Sequence, residues 1–81
     1  MTPPTVDHII LHATDRRAAA DLLAKVLDVD VLDEWGPFVP VQVTEGVTVD
    51  FVDDEHPIPP QHLAFVVGVR DLMAARRRAL G

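Results

Sequence analysis

Apolar and polar positions alternate along several stretches of this chain and recur at helical spacing along two others. Side chains on a strand alternate between faces, whereas a helix brings residues three and four apart onto one face. In residues 6–13, His8, Ile10 and His12 share one face and Ile9 and Leu11 the other. One face is aliphatic and suits a packed helix; the other carries two imidazoles. Residues 16–27 change period. Ala19, Leu22, Leu23, Val26 and Leu27 predict a buried helical stripe, and Thr14 or Asp15 supplies an N-cap oxygen.

Residues 29–32 are a short strand candidate and Trp35-Gly36-Pro37 a turn. Residues 38–44 read as a strand in which Pro40 predicts an edge position or a bulge. Glu45-Gly46 marks a hairpin turn. Residues 47–52 form the clearest alternating strand, with Val47, Val49 and Phe51 on one face and Thr48, Asp50 and Val52 on the other. The acidic, proline-rich residues 53–60 are a linker. Residues 61–67 restart the opening pattern as an apolar strand headed by His62, with Leu63, Phe65 and Val67 toward the core. A turn at 68–70 leads to a helix over 72–80, capped by Asp71, with Leu72, Met73, Ala75, Ala79 and Leu80 turned inward.

The order is β-α-β-β-β, a linker, then β-α. It predicts an α+β fold in one domain over 1–81. Residues 6–53 form a complete βαβββ module around a mixed, curved sheet, and residues 61–81 begin a second module (βα) that is incomplete.

Composition narrows the chemistry. With 81 residues the core is marginal. There is no cysteine, so a metal would be held by His, Asp, Glu or water. The net charge of −6 argues against nucleic acid or an anionic membrane as a partner. Arg76-Arg77-Arg78 reads as a solvated helix face with favourable charge at a helix C-terminus. No apolar run reaches membrane-span length and the N-terminus does not read as a signal peptide, so the cytoplasm is the expected location. No Ser, Cys or Tyr offers a nucleophile and no Gly-rich loop cradles phosphate. Any catalysis is therefore expected to be metal-assisted.

If the three best strands share a sheet, the face away from the helices collects His8, His12, His62 and Asp50. Two imidazoles and a carboxylate suit Mn, Fe, Ni or Zn and leave positions for substrate oxygens. The competing reading of His8 is a strand-end histidine bonded to backbone, and of Asp50 the solvent side of an antiparallel sheet. His12, Trp35, Phe38 and Gln42 are candidate substrate-binding residues. Ile10 and Val66 would add apolar wall, and His56 reads as a surface loop residue.

The stretch His8-Ile9-Ile10-Leu11, the Asp15 turn, the helix end Lys25-Val26-Leu27-Asp28, the strand at 47–52 and the restart His62-Leu63-Ala64-Phe65-Val66-Val67 together resemble the vicinal-oxygen-chelate superfamily. That group contains glyoxalase, bleomycin-resistance protein and extradiol dioxygenase. The resemblance implies two βαβββ modules forming a cup around a divalent metal ion. Its ligand positions fall on His8, His62 and Asp50, the last where many members carry Glu. Leu27-Asp28 stands where the family commonly has Leu-Gly. The fourth ligand position lies in a strand of the second module that these residues do not include. The resemblance implies a glyoxalase-like or dioxygenase-like metal-dependent enzyme for a small oxygenated substrate, with a homodimer supplying the missing wall. The alternatives are a metal-free drug or natural-product binder and an inactive fragment of a longer member.

Overall fold

The computed structural model describes residues 2–65 and 68–81. Its elements are β1 (His8–Ala13), α1 (Arg16–Leu27), β2 (Phe38–Thr44), β3 (Val47–Asp53) and α2 (Val69–Leu80). The sheet order is β1-β3-β2, with β1 parallel to β3 and β2 antiparallel to it. Parallel β1 and β3 need a crossover, and α1 is part of that connection. The result is an α+β fold compatible with a βαβββ module.

Local signals account for the well-formed elements. Asp15 caps α1, its side chain accepting from the Ala18 N–H at 3.0 Å. Gly46, at φ 76°, turns β2 back into β3. At Gly36, φ 55°, the chain reverses so that Trp35 and Phe38 exchange two backbone bonds, at 3.0 and 2.9 Å. The ladder irregularity falls between Gln42 and Thr44 rather than at Pro40.

The candidate strand at 29–32 survives only as a bridge from Val31 to Val41. Leu32 N–H donates to the Pro40 carbonyl at 2.9 Å and Gln42 N–H to the Asp30 carbonyl at 3.0 Å. Pro40 has no N–H to return. Among the described residues the sheet therefore has three strands and stays open instead of curving into a cup.

The core lies between α1 and one face of the sheet: Ala20, Ala24, Val39, Val41, Val49 and Phe51. The expected stripe on α1 is rotated. Ala20 and Ala24 are the buried pair, Ala19 and Leu23 pack against the core as expected, and Leu22 is 58% exposed. Small side chains allow the helix to sit low on the valine face, which larger ones would hold away.

Two corrections concern the second unit. Residues 61–65 are not a strand, and Val66 and Val67, assigned to the pocket wall and the core, lie outside the described residues. Pro57, Pro59 and Pro60 cannot donate to a ladder. Helix α2 also begins earlier than expected. Gly68 is its N-cap and Asp71 sits in its first turn. Ala74, Ala75 and Arg78 are half-buried, while Leu72, Met73 and Leu80 point outward.

Arg78 is not part of a solvated face. Its Nε donates to the Lys25 and Val26 carbonyls at 3.0 and 3.1 Å, and its Nη2 to Val26 at 2.9 Å. The last carbonyls of a helix lack intrahelical donors, and a cation there is also favoured by the helix dipole. Arg78→Ala is expected to remove about 1–2 kcal/mol and lower Tm by roughly 5–10 °C, measured by thermal unfolding. Arg78→Lys should fall between, because it keeps the charge but loses the fork.

Asp28 ends α1 in the left-handed region, φ 56° and ψ 52°, with its N–H bonded to the Ala24 carbonyl. A residue with a Cβ is strained there and glycine is not. Asp28→Gly is expected to raise Tm by about 2–5 °C, from a gain of roughly 0.5 kcal/mol.

Candidate functional site

The register places nine residues in three rows on the sheet face away from α1. Gln42, Thr48 and His8 form one row. Pro40, Asp50 and Ile10 form the next. Phe38, Val52 and His12 form the third. Asp50 is the centre. Strand spacing of about 4.8 Å and a rise of about 3.3 Å per residue put the Cα atoms of His8 and His12 each roughly 8 Å from that of Asp50. They also put His8 and His12 roughly 13 Å apart along β1.

Asp50 is unusual in its surroundings. It is half-buried, and its Oδ1 is a buried side-chain atom with no hydrogen-bond partner among the described residues. A buried carboxylate oxygen without a donor is costly. Its neighbour Pro40 is buried and supplies no N–H.

His8 lies at the start of β1 with its Nδ1 2.9 Å from Asp7 Oδ2. That bond leaves Nε2 as the free nitrogen. The His8 imidazole is raised above its ordinary 6.5, chiefly by the bond to Asp7. Desolvation opposes this rise, while the charges of Asp50 and Asp7 add to it. A raised histidine value contributes stability at pH below its unfolded value, and that contribution is lost as pH rises through the folded value.

His12 is fixed differently. Its N–H donates to Gln61 Oε1 and its carbonyl accepts from Gln61 Nε2, both at 2.9 Å. The Gln61 amide thus takes the place of a neighbouring strand on the free edge of β1. The His12 ring reaches Asp54, Nδ1 to Oδ2 at 3.2 Å. Asp54 also accepts the His56 N–H at 2.9 Å and lies 3.3 Å from His56 Nδ1. These donors, the His56 backbone first, hold Asp54 below its ordinary 3.8 against the opposing effect of desolvation. A lowered carboxylate contributes stability above its unfolded value and loses it as pH falls through the folded one. In melts between pH 6 and pH 2.5 or so, wild type should therefore lose Tm more steeply than Asp54→Asn on the acid side.

His62 is not brought to His8 and Asp50. It is exposed, one residue beyond Gln61, which docks at the His12 end of β1. Among the described residues, no group of three or more His, Cys, Asp or Glu side chains is placed to hold one ion. Of the three anticipated ligands, His8 and Asp50 share this face on adjacent strands while His62 lies apart, because residues 61–65 meet β1 through a side chain and not through a backbone ladder.

Trp35 stacks on Phe38, ring centroids 5.9 Å apart and planes 12° from parallel. Beside them is an open cavity of about 690 Å³. Asp30, Val31, Leu32, Asp33 and Trp35 form one wall, and Pro40, Thr48 and Asp50 the floor. It meets the anticipated metal ligands only at Asp50. Asp30, Asp33 and Leu32 escaped the sequence reading, because their position depends on the Val31–Val41 bridge. The roles of Asp54 and Gln61 escaped it too; the Asp-rich stretch after β3 was the available signal.

The donor set can be tested against a divalent ion. The unpaired Oδ1 of Asp50 and the free Nε2 of His8 are two donors on adjacent strands, and they fit an ion's requirement for an imidazole and a carboxylate. The carboxylate on the far nitrogen of His8 matches the support that ligating histidines usually have.

No protein-family model matches the chain, and no curated protein sequence does. Solved structures do. The chain is similar to the protein named Oxidase ChaP-H2, with 36% identity and a TM-score of 0.89 over 95% of this chain and 61% of that one. It is similar to Oxidase ChaP-H1 at 39% identity and a TM-score of 0.85, over 94% and 61% of the two chains. A protein from the mobile metagenome of V. Pseudocholerae shares the fold at 17% identity and a TM-score of 0.67, over 99% and 67%. The chain thus spans about three fifths of the length of the two oxidases. Among the described residues, no helix is long and apolar enough to cross a membrane.

Proposed function

We propose that the chain belongs to the vicinal-oxygen-chelate superfamily and forms part of a metal-dependent oxidase or dioxygenase-like enzyme for a small oxygenated substrate. The observation that carries this reading is the buried, unpaired Oδ1 at the centre of the open face. The likeness to two proteins named oxidases supports it. His8 through Nε2 and Asp50 through Oδ1 would hold a divalent ion (Zn, Ni, Mn or Fe). His62 would join them when residues 61–65 extend the sheet along the free edge of β1, where Gln61 already sits. Such an ion supplies polarisation of adjacent substrate oxygens and stabilises negative charge developing on them.

The chain's own residues do the rest. Asp7 orients His8. Gln42 and Thr48 offer hydrogen bonds beside the pair, and Trp35 and Phe38 present an aromatic wall. A second copy of the chain would cover the open face and exclude water. The test is oxygen uptake by Fe²⁺-loaded protein with a panel of catechols. Uptake in wild type that is lost in His8→Ala and His62→Ala supports the reading. Uptake unaffected by either substitution contradicts it.

A second reading, capture of an organic ligand without metal, is favoured by the cavity. Asp30, Asp33 and Asp50 line it, and among the described residues no Lys or Arg does. Such a site would take an aromatic cation on Trp35. Trp35 is the only tryptophan, so quenching of its fluorescence by aminoacridine in chelator, and not by an acridine carboxylate, is the expected result on this reading.

A further inference from the structure

We propose that His12 is the proton-transfer residue of this face and Asp54 the residue that positions it. The proposal rests on the metal-assisted reading above for its substrate. It stands on the contact between His12 and Asp54, which that reading does not use.

His12 is held at both ends. Its backbone is clamped by the Gln61 amide through two bonds of 2.9 Å. Its ring is held by Asp54 at 3.2 Å. Nδ1 is the nitrogen that faces this carboxylate, and an ionised carboxylate only accepts, so the proton is assigned to Nδ1 and the lone pair to Nε2. Among the described residues Nε2 has no hydrogen-bond partner. A base whose far nitrogen is fixed by a carboxylate is the arrangement of activated imidazoles generally.

The placement suits the task. His12 lies on the same face of β1 as His8, with Asp50 between them on the next strand. A substrate with an oxygen at Asp50 has to bridge a backbone separation of roughly 8 Å, shortened by the reach of the two side chains, to bring a proton to His12. The groups around the ring are few. Val52 lies opposite on β3, Asp54 and His56 follow it, and Gln61 closes the strand edge. Asp53 turns to the other side and binds Arg16 at 3.1 Å.

The step is a proton abstraction next to a carbonyl. The C–H bond breaks, its proton goes to Nε2, and its electron pair moves onto the carbonyl oxygen as an enolate. The imidazolium, stabilised by Asp54, then returns a proton. No oxidant is required.

The experiment follows exchange of the α-protons of hydroxyacetone in deuterated water, with Mn²⁺ or with chelator, alongside nitrogen NMR of the histidines in metal-free protein. Wild type should show the Nδ1–H tautomer at His12 and exchange of the α-protons above the rate without protein. His12→Gln should lower the rate at least about tenfold, within the range expected of a general base. Asp54→Asn should lower the rate and release the His12 ring into a mixture of tautomers, and Asp54→Glu should restore both, which a merely structural tether would not do. No exchange, exchange that survives His12→Gln, or an Nε2–H tautomer in wild type overturns the proposal. Exchange that is lost in His12→Gln but identical with Mn²⁺ and with chelator upholds the dyad and instead counts against the metal-assisted reading.

Discussion

Asp50→Ala is expected to weaken divalent-ion binding by at least about 100-fold, which corresponds to roughly 2.7 kcal/mol. The fold itself should survive. Asp50 occupies the centre of the open face, yet among the described residues its Oδ1 has no partner to lose. Removing a buried carboxylate oxygen that nothing satisfies relieves a desolvation penalty. Thermal unfolding should therefore show an unchanged or higher Tm, while ion binding collapses. An Asp50 that served the fold would behave in the opposite way. Asp50→Asn keeps the shape and separates charge from volume, and it should lose most of the ion affinity as well.

The second large effect lies one residue along β3. Phe51→Ala is expected to remove about 3–5 kcal/mol. Phe51 is only 7% exposed and packs with Val39, Val49 and the two close-approach alanines of α1. A domain of 81 residues has a total stability of about 4–12 kcal/mol. The loss is a large part of that, so the variant should melt at least about 12 °C below wild type or be unfolded at ambient temperature. Neighbouring side chains on one strand thus divide between two tasks, because alternation sends Phe51 to the helix and Asp50 to the open face.

That division was legible in the sequence. Alternation in residues 47–52 assigned Val49 and Phe51 to the core and Asp50 to the other face. Asp15 and the Ala/Leu periodicity bounded α1 at Arg16–Leu27. These signals are local, and local propensity and tertiary packing agree there. The rotation of α1 was not legible. Leu22 has the hydrophobicity of a core residue, but the valine face lies nearest Ala20 and Ala24, and closeness of approach decided the matter. Asp28 met the sequence reading as a departure from a Leu-Gly ending, and the structure gives the physical content: a left-handed residue with a Cβ.

The candidate site was half legible. The three-by-three face follows from alternation once the strand order is known, and it holds His8, His12, Phe38, Gln42 and Asp50 together. Strand order and register are long-range facts that no local window contains. His62 shows the consequence. The histidine-headed repeat placed it beside His8, but three prolines precede Gln61 within five residues. Gln61 then uses its side chain where a strand would use backbone. Arg78 shows the same limit in another way, since a charge run gives no sign that one member will cap a neighbouring helix.

The most direct test is the amount of Mn²⁺ retained per chain after equilibrium dialysis, compared between wild type and Asp50→Asn. The account predicts saturable binding in wild type that is lost in Asp50→Asn while both proteins melt at similar temperatures. Equal retention by the two proteins, or none by a folded wild type, would contradict it.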